Sequence, residues 1–429
     1  MAPAVIWHRG FLRPRRSQAL GRAPAPDRVL LVSRIFAPES AAAAFRLSAL
    51  HAGLEAAGAR VDVLTSRVGG DAESMAEVSG PDCGRIRRWP VLRDVDGYVR
   101  GYLPYLSFDL PLVLRLVIAR RPDVVIVEPP PTTGAVVRTV LAVRGRLRRQ
   151  PIPYVYYAAD VWSDASASTA APAWVVHALR VVERYALEGA ADVIAVSPGV
   201  ADRVRALGAR SVTVVPNGVD TTVFDRLDPV PQETAAERCR LGIPSELFLL
   251  YAGTASEWQG AEIFAEAMRE VSGRIPWAKL IFLGQGSSWP ALQRIAGDLP
   301  SGSIELRSVV LPGEVAIWHR AASAALVSVR PGIGYDFAYP TKVLAALACG
   351  TPVIYAGPGP AADDLVEQDL GTVVPYGVDA VAEAMLAALR VDPDESASQR
   401  RAQWVGENRS ITATGAAAAR AALGAAVSR

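Results

Sequence analysis

The chain has 429 residues, 51% of them hydrophobic, enough for two or three domains each with a core of its own. A net charge of +2 demands no nucleic acid or other polyanion as partner. Three cysteines, Cys83, Cys239 and Cys349, lie too far apart for metal-ligand spacing and fit a reducing compartment.

Taken in chain order, residues 1–27 are rich in Arg and Pro without a signal-peptide core and read as a loose extension. A strand over Val29–Ser33 leads through a loop to a helix over Ala41–Ala57, with Ser40 as its cap. A second strand follows over Val61–Thr65, which makes one βαβ unit and therefore a parallel sheet. Its first loop lacks the Gly-x-Gly-x-x-Gly dinucleotide fingerprint and carries Ala41 to Ala44 instead. Residues 66–105 show no clear period. They hold a basic, aromatic patch (Arg85, Arg87, Arg88, Trp89) and Tyr98, Tyr102 and Tyr105, in what reads as a loop.

A strand over Val124–Val127 precedes a helix over Gly134–Arg149. Its stripe of Val136, Val140, Val143 and Leu147 is expected to face the sheet, with Arg138, Arg146 and Arg149 opposite. The strand Tyr154–Tyr157 ends at Asp160-Val161-Trp162-Ser163-Asp164, two carboxylates beyond a strand's carboxyl end, where open α/β folds bind ligands. The alternative use of such a carboxylate is to cap the next helix. A helix with Glu183, a strand over Asp192–Val196, a helix opened by Ser197-Pro198-Gly199 and a strand over Ser211–Val215 complete the first half.

From Asp225 to Pro244 periodicity fades, and an interdomain linker is expected at 231–245. The first domain thus covers 28–230, a second 246–393, and an Ala-rich helical segment 394–429. In the second half the βα pattern restarts at Phe248–Tyr251. It reaches a strand over Ala324–Val329, the loop R-P-G-I-G-Y-D-F-A-Y-P-T-K and a helix over Val343–Cys349. A strand, a Gly-bearing loop and a lysine at a helix start form a place to hold an anion. Lysine occurs only at Lys279 and Lys342.

Five segments carry a family resemblance through their order and spacing: D-V-I-A-V-S-P-G-V, V-V-P-N-G-V-D-T-T-V-F, L-L-Y-A-G-T, I-F-L-G-Q-G and A-L-A-C-G-T-P-V-I. Over about residues 28–425 the chain resembles the family-4 retaining glycosyltransferases of the GT-B fold, and within them a bacterial surface-polysaccharide branch. The resemblance implies an α/β chain of two Rossmann-like domains facing across a cleft, with the C-terminal helix packing back on the N-terminal domain. It implies a nucleotide sugar bound by the second domain and an acceptor bound by the first. Two glutamates common in such enzymes fall at Phe337 and Ala345, and the usual Arg and Lys fall near Thr254 and Gln259. Lys342 is then the cation left to meet the donor diphosphate.

By the same resemblance, donor contacts are expected at Gly253, Thr254, Gln259, Gly284, Val309, Val310, Arg330, Gly334, Tyr335, Tyr339, Pro340, Thr341, Lys342 and Val343. Catalytic roles are expected for Lys342, Asp160 and Asp336, Asp336 standing in for the first glutamate. Acceptor contacts are expected at Ser40, Ala41, Arg46, Asp160 and Trp162. No cofactor or metal is expected beyond the nucleotide-diphosphate sugar as co-substrate. The branch uses lipid-linked acceptors, so a cytoplasmic protein docked at the inner face of the plasma membrane is expected. The candidate surface is the arginine face around Arg138 to Arg149 with Arg85, Arg87, Arg88 and the Tyr98–Tyr105 loop. The two departures at the glutamates also leave open a non-catalytic subunit that binds a nucleotide sugar or a partner enzyme. A nucleotide-sugar epimerase on the same fold is a third reading.

Overall fold

The computed structural model describes residues 27–39, 42–68, 85–93, 99, 102–167, 172–226 and 233–427. The expectations for residues 1–26, Ser40, Ala41, Cys83 and Tyr98 lie outside them. The first half runs β1 (Arg28–Val32), α1 (Ala42–Ala56), β2 (Arg60–Ser66), β3 (Ile86–Trp89), α2 (Tyr102–Ile118), β4 (Val124–Val127), α3 (Pro131–Arg148), β5 (Tyr154–Ala158), α4 (Trp162–Ala167), α5 (Ala173–Glu188), β6 (Asp192–Ala195), α6 (Pro198–Ala206) and β7 (Val212–Val214). After α7 (Glu233–Arg240) come β8 (Phe248–Thr254), α8 (Glu262–Arg274), β9 (Lys279–Gln285), α9 (Trp289–Gly297), β10 (Ile304–Arg307), α10 (Pro312–Ala321), β11 (Ala324–Ser328), α11 (Lys342–Ala348), β12 (Val353–Ala356), α12 (Pro360–Glu367), β13 (Gly371–Val374) and α13 (Val378–Ala388). The chain closes with α14 (Glu395–Asn408) and α15 (Ile411–Val427).

The strands form two parallel sheets, ordered β3-β2-β1-β4-β5-β6-β7 and β10-β9-β8-β11-β12-β13. Both are Rossmann-like. Each reverses its winding once, between β1 and β4 and between β8 and β11. At such switch points the loops diverge and leave a crevice at the strands' carboxyl ends. The inner strands are apolar runs buried on both faces: every residue of β4, β5, β11 and β12 is buried. The carboxyl ends of the two sheets meet. Ser197, which caps α6 after β6, approaches the Phe337 carbonyl of the β11–α11 loop at 3.4 Å. A Cβ on Gly199 would stand 2.5 Å from the Phe337 Cβ, so the turn needs glycine there.

The last helix returns to the first sheet, as expected. Ala418, Ala419 and Ala422 of α15 are buried in the core of the first half. Helices α1 and α15 touch backbone to backbone: a Cβ on Gly53 would lie 2.7 Å from the Gly415 carbonyl oxygen. Trp404 of α14 packs on the second core, and Arg409 lies over its ring at 5.5 Å.

Four expectations change. The segment read as a linker contains α7, whose Arg240 pairs with Glu314 at 3.2 Å and whose following Leu241 packs on the second half. The irregular stretch before residue 105 contains β3, and Tyr105 lies in the 17-residue helix α2 rather than a loop. Pro104 and Pro111 and a mostly apolar composition hide α2, because no polar face alternates with an apolar one. On α3 the inward stripe is Val137, Val140, Leu141 and Arg144; Val143 and Leu147 are exposed. Packing against α2 and α5 turns the helix by about a residue from its most apolar face. Arg144 is drawn inward because it donates to the carbonyls of Leu116 and Ala119, which would otherwise end α2 unpaired.

Candidate functional site

The second switch point holds the lysine. The Lys342 ammonium, at the first turn of α11, donates to the Tyr251 hydroxyl at 2.7 Å and to the Thr254 carbonyl at 2.9 Å, and lies 4.0 Å from the Tyr251 ring centre. Tyr251 offers its one proton to the Thr254 carbonyl (3.0 Å) or to Gln259 Oε1 (3.2 Å). Gln259 Oε1 also accepts from the amide and hydroxyl of Ser256, each at 3.2 Å. The Ser328 hydroxyl donates to the Gln259 carbonyl (2.6 Å) and the Arg330 amide to the Trp258 carbonyl (2.9 Å), so the loop after β8 is stitched to the end of β11. Burial pushes the Lys342 pKa down to about 7, and among the described residues no acidic group offsets that shift. The result is a half-buried cation held by neutral groups.

Around it the backbone is drawn close. Gly253 faces the Lys342 side chain, and a Cβ there would stand 3.6 Å from its Cε. Gly284, at φ +151°, lies so near β8 that a Cβ would be 2.2 Å from the Gly253 carbonyl oxygen. Tyr335 stacks on Trp258 with ring centres 5.2 Å apart and on Phe337 at 6.4 Å, forming one wall of the loop. Gly334 takes a positive φ at the turn, and Arg330 and Thr341 are exposed beside it.

The structure thus brings together Gly253, Thr254, Gln259, Gly284 and Lys342, with Arg330, Gly334, Tyr335 and Thr341 on the loop that borders them. It assigns other duties to the rest. Asp336 accepts the Gly332 amide at 3.1 Å and so closes its own loop. The Tyr339 hydroxyl donates to Asp364, which also pairs with Arg409. Pro340 is buried, and Val343 lies fully within the second core, so it can offer a ligand only its backbone. Val309 is exposed. Val310 lines a separate hollow of about 430 Å³ with Leu241, Leu283, Arg307, Ser308 and Trp318. Phe337 and Ala345, at the family's glutamate positions, serve packing: Phe337 against the first core, Ala345 buried within the second.

Across the crevice stands the other group. Asp160 follows β5 and is open to solvent. Crowding by protein raises its pKa, Arg46 opposes that, and Glu128 adds to it. It does not cap α4. Those amides are taken by Glu183, whose carboxylate accepts Trp162 N at 2.8 Å and Ser163 N at 2.9 Å. Asp164 pairs with Arg203 at 2.9 Å. Asp160 is therefore free of the structural role its position first suggests.

Arg46 reaches from α1 to a buried carboxylate, Glu128 at the end of β4, and lies 5.3 Å from the Tyr157 ring centre. The Ser33 hydroxyl meets the other Glu128 oxygen at 2.9 Å. Burial lowers the Arg46 pKa, and Glu128 more than reverses this. Trp162 meets Tyr105 edge-on at 5.7 Å, and Arg34 stacks on Tyr105 at 4.1 Å while donating to the Val99 carbonyl. Tyr251, Trp258, Glu128, Glu183 and Arg34 were not singled out from the sequence as site groups. Each acts through partners far along the chain, and only the Gly-Thr after Tyr251 hinted at one of them. Among the described residues no three His, Cys, Asp or Glu side chains gather as a metal ion would require.

Two family profiles match the chain: "Glycosyltransferase Family 4" over residues 43–223 and "Glycosyl transferases group 1" over residues 246–390. A GDP-mannose-dependent alpha-(1-6)-phosphatidylinositol monomannoside mannosyltransferase of Mycolicibacterium smegmatis is 30% identical over 188 residues, 43% of this chain and 48% of that protein. The chain spans about half the length of the curated relatives it matches. Among solved structures, Anabaena HepE in complex with UDP-glucose superposes with a TM-score of 0.65 at 16% identity, covering 92% of this chain and 98% of that one. WaaG, a glycosyltransferase involved in lipopolysaccharide biosynthesis, gives 0.65 at 17%, covering 92% and 99%.

Proposed function

Since the chain belongs to the family-4 glycosyltransferases of the GT-B fold, we propose that it transfers a sugar from a nucleotide-diphosphate sugar to an acceptor hydroxyl with retention of configuration. The observation that carries the reading is Lys342: a cation at a switch point, held by neutral groups, where a diphosphate would supply the missing charge. The leaving group is a nucleoside diphosphate, and catalysis must stabilise the charge that gathers on its β-phosphate. Lys342 does this as a point charge, with exposed Arg330 at the border of the loop. The acceptor proton passes to the departing phosphate, so no dedicated base is needed, and Asp160 orients the acceptor.

The acceptor is lipid-linked, in cell-surface polysaccharide or glycolipid synthesis, and the protein works at the cytoplasmic face of the membrane. The lipid acceptor is supported by the glycolipid substrate named for the mycobacterial relative. No described helix is long and apolar enough to cross a membrane, so access to such an acceptor requires docking.

A panel of UDP-, GDP- and dTDP-sugars tests the donor. The right one, at about 100 times its Kd, should stabilise the protein by roughly 2.7 kcal/mol, and sustained hydrolysis should follow. Stabilisation by none of them would overturn the reading. Phe337 and Ala345 at the glutamate positions favour a second reading, a non-catalytic subunit that binds the nucleotide sugar. Donor stabilisation without hydrolysis or transfer would select it.

Asp160→Asn should leave donor stabilisation intact and lower transfer at least tenfold. Transfer at the wild-type rate would remove Asp160 from the acceptor site.

A further inference from the structure

Among the described residues the outward face of α2 has no partner. Its inward residues Phe108, Leu112 and Leu116 are fully buried, and its two charged side chains, Asp109 and Arg115, are buried with them. Outward it shows Leu103, Leu106, Leu110, Leu114, Val117 and Ile118, between 45% and 69% exposed. These positions recur at three- and four-residue steps along one helix face. A water-facing helix would carry polar side chains there, and a contiguous apolar strip on a soluble protein marks a contact surface. The strip continues onto α3 through Val143 and Leu147.

Charge identifies the occupant. Arg120 and Arg121 stand exposed just past the end of α2, and Arg146, Arg148 and Arg149 stand exposed at the end of α3. Arg144 ties the two ends together through the Leu116 and Ala119 carbonyls, which sets the arginines in one group beside the strip. Asp123, the adjacent acid, has its carboxylate occupied by the Arg28 amide at 3.0 Å. An apolar ridge beside a cluster of five exposed arginines, with one acid adjacent, matches the boundary of an anionic bilayer, where leucines enter the acyl region and arginines meet headgroups. We propose that α2 lies in the plane of an anionic membrane and docks the protein through this ridge and this arginine cluster.

The surface shares Arg146 and Arg149 with the one the sequence pointed to but is centred on α2 instead. Arg138 is committed to the Tyr185 ring and carbonyl, and Arg88 to the carbonyls of Ala37 and Ser66. Tyr105, near the start of α2, turns inward onto Arg34 and Trp162. That contact joins the docking helix to the segment carrying Asp160, so a docked α2 fixes the acceptor side of the crevice relative to the lipid. This last link rests on the proposed function; the docking itself does not.

Flotation of the full chain with vesicles tests it. Recovery should be several-fold higher with equal parts phosphatidylcholine and phosphatidylglycerol than with phosphatidylcholine alone, and should fall as salt is raised. The Leu110→Glu, Leu114→Glu double variant should lose roughly tenfold or more of the binding, and Arg120→Glu with Arg121→Glu should do likewise. Both should keep the wild-type circular dichroism spectrum and the donor-induced thermal shift. If the leucine variant fails to fold, the arginine variant carries the test. No recovery on anionic vesicles at low salt, or equal recovery of wild type and variants, overturns the proposal. So does a dimer that the leucine variant dissociates without any vesicle binding, which would assign the ridge to a second copy. Loss of donor hydrolysis with vesicle binding intact would count against the transferase reading and leave the surface standing.

Discussion

Lys342→Ala is expected to cost about 2 to 4 kcal/mol in donor turnover, roughly thirty- to a thousandfold, with the fold intact. The ammonium rests on a tyrosine hydroxyl and a carbonyl, neither of which carries a charge that would substitute for it. Its pKa of about 7 against an ordinary 10.5 adds a pH signature. In the empty protein the amine is neutral above pH 7, whereas a bound diphosphate favours the ammonium. Donor binding should therefore take up close to one proton between pH 7 and 10.5 and weaken as pH rises through that window. Below pH 7 this group is already charged, and affinity should be flat with respect to it. In the absence of donor the sign for stability is opposite: the unfolded chain holds the extra proton in the same window, so raising pH through it stabilises the fold. Calorimetry in two buffers of different ionisation enthalpy reads the proton directly. A buffer-independent heat, or wild-type turnover by Lys342→Ala, would refute the assignment.

Glu128→Ala is the change expected to cost most in stability, about 3 to 5 kcal/mol. Arg46 and Glu128 have side chains 14% and 6% exposed, and removing the carboxylate leaves a guanidinium buried without its counter-charge. The Ser33 hydroxyl loses an acceptor as well. Replacing both partners with apolar groups, Arg46→Met with Glu128→Leu, should recover most of the loss, since such pairs gain little over well-packed hydrophobic residues. Urea unfolding of the single and the double variant decides this. A single variant as stable as wild type would mean that water reaches Arg46 after the change.

The architecture was legible because its signals are local. Short β-branched runs, capped helices such as the one opened by Ser197, and the restart of the βα pattern at Phe248 each depend on neighbours in sequence. What escaped depends on distance along the chain. Asp160 reads as an acid near a helix start and Glu183 as an acid within a helix, and only the fold shows that Glu183, twenty-one residues from Trp162, takes the capping role. Lys342 stands out as one of two lysines, yet Tyr251, which holds it, sits 91 residues earlier in an apolar strand, with nothing local to link the two. Helix α2 was missed for the reason that makes it useful: a helix apolar toward both core and exterior has no periodic contrast to detect.

The return of α15 to the first sheet bears on how the molecule is made. Domains emerging from the ribosome fold as they appear, the earliest first. Here Ala418, Ala419 and Ala422 help fill the core that β1 and α1 begin, so that core stays open until roughly 350 further residues have been translated. The nascent first half must wait with part of its apolar face uncovered, at a stage when the second half, whose sheet is contiguous in sequence, can already close. Folding order should thus run against synthesis order. A chain stalled before residue 411 should yield to protease in its first half sooner than in its second.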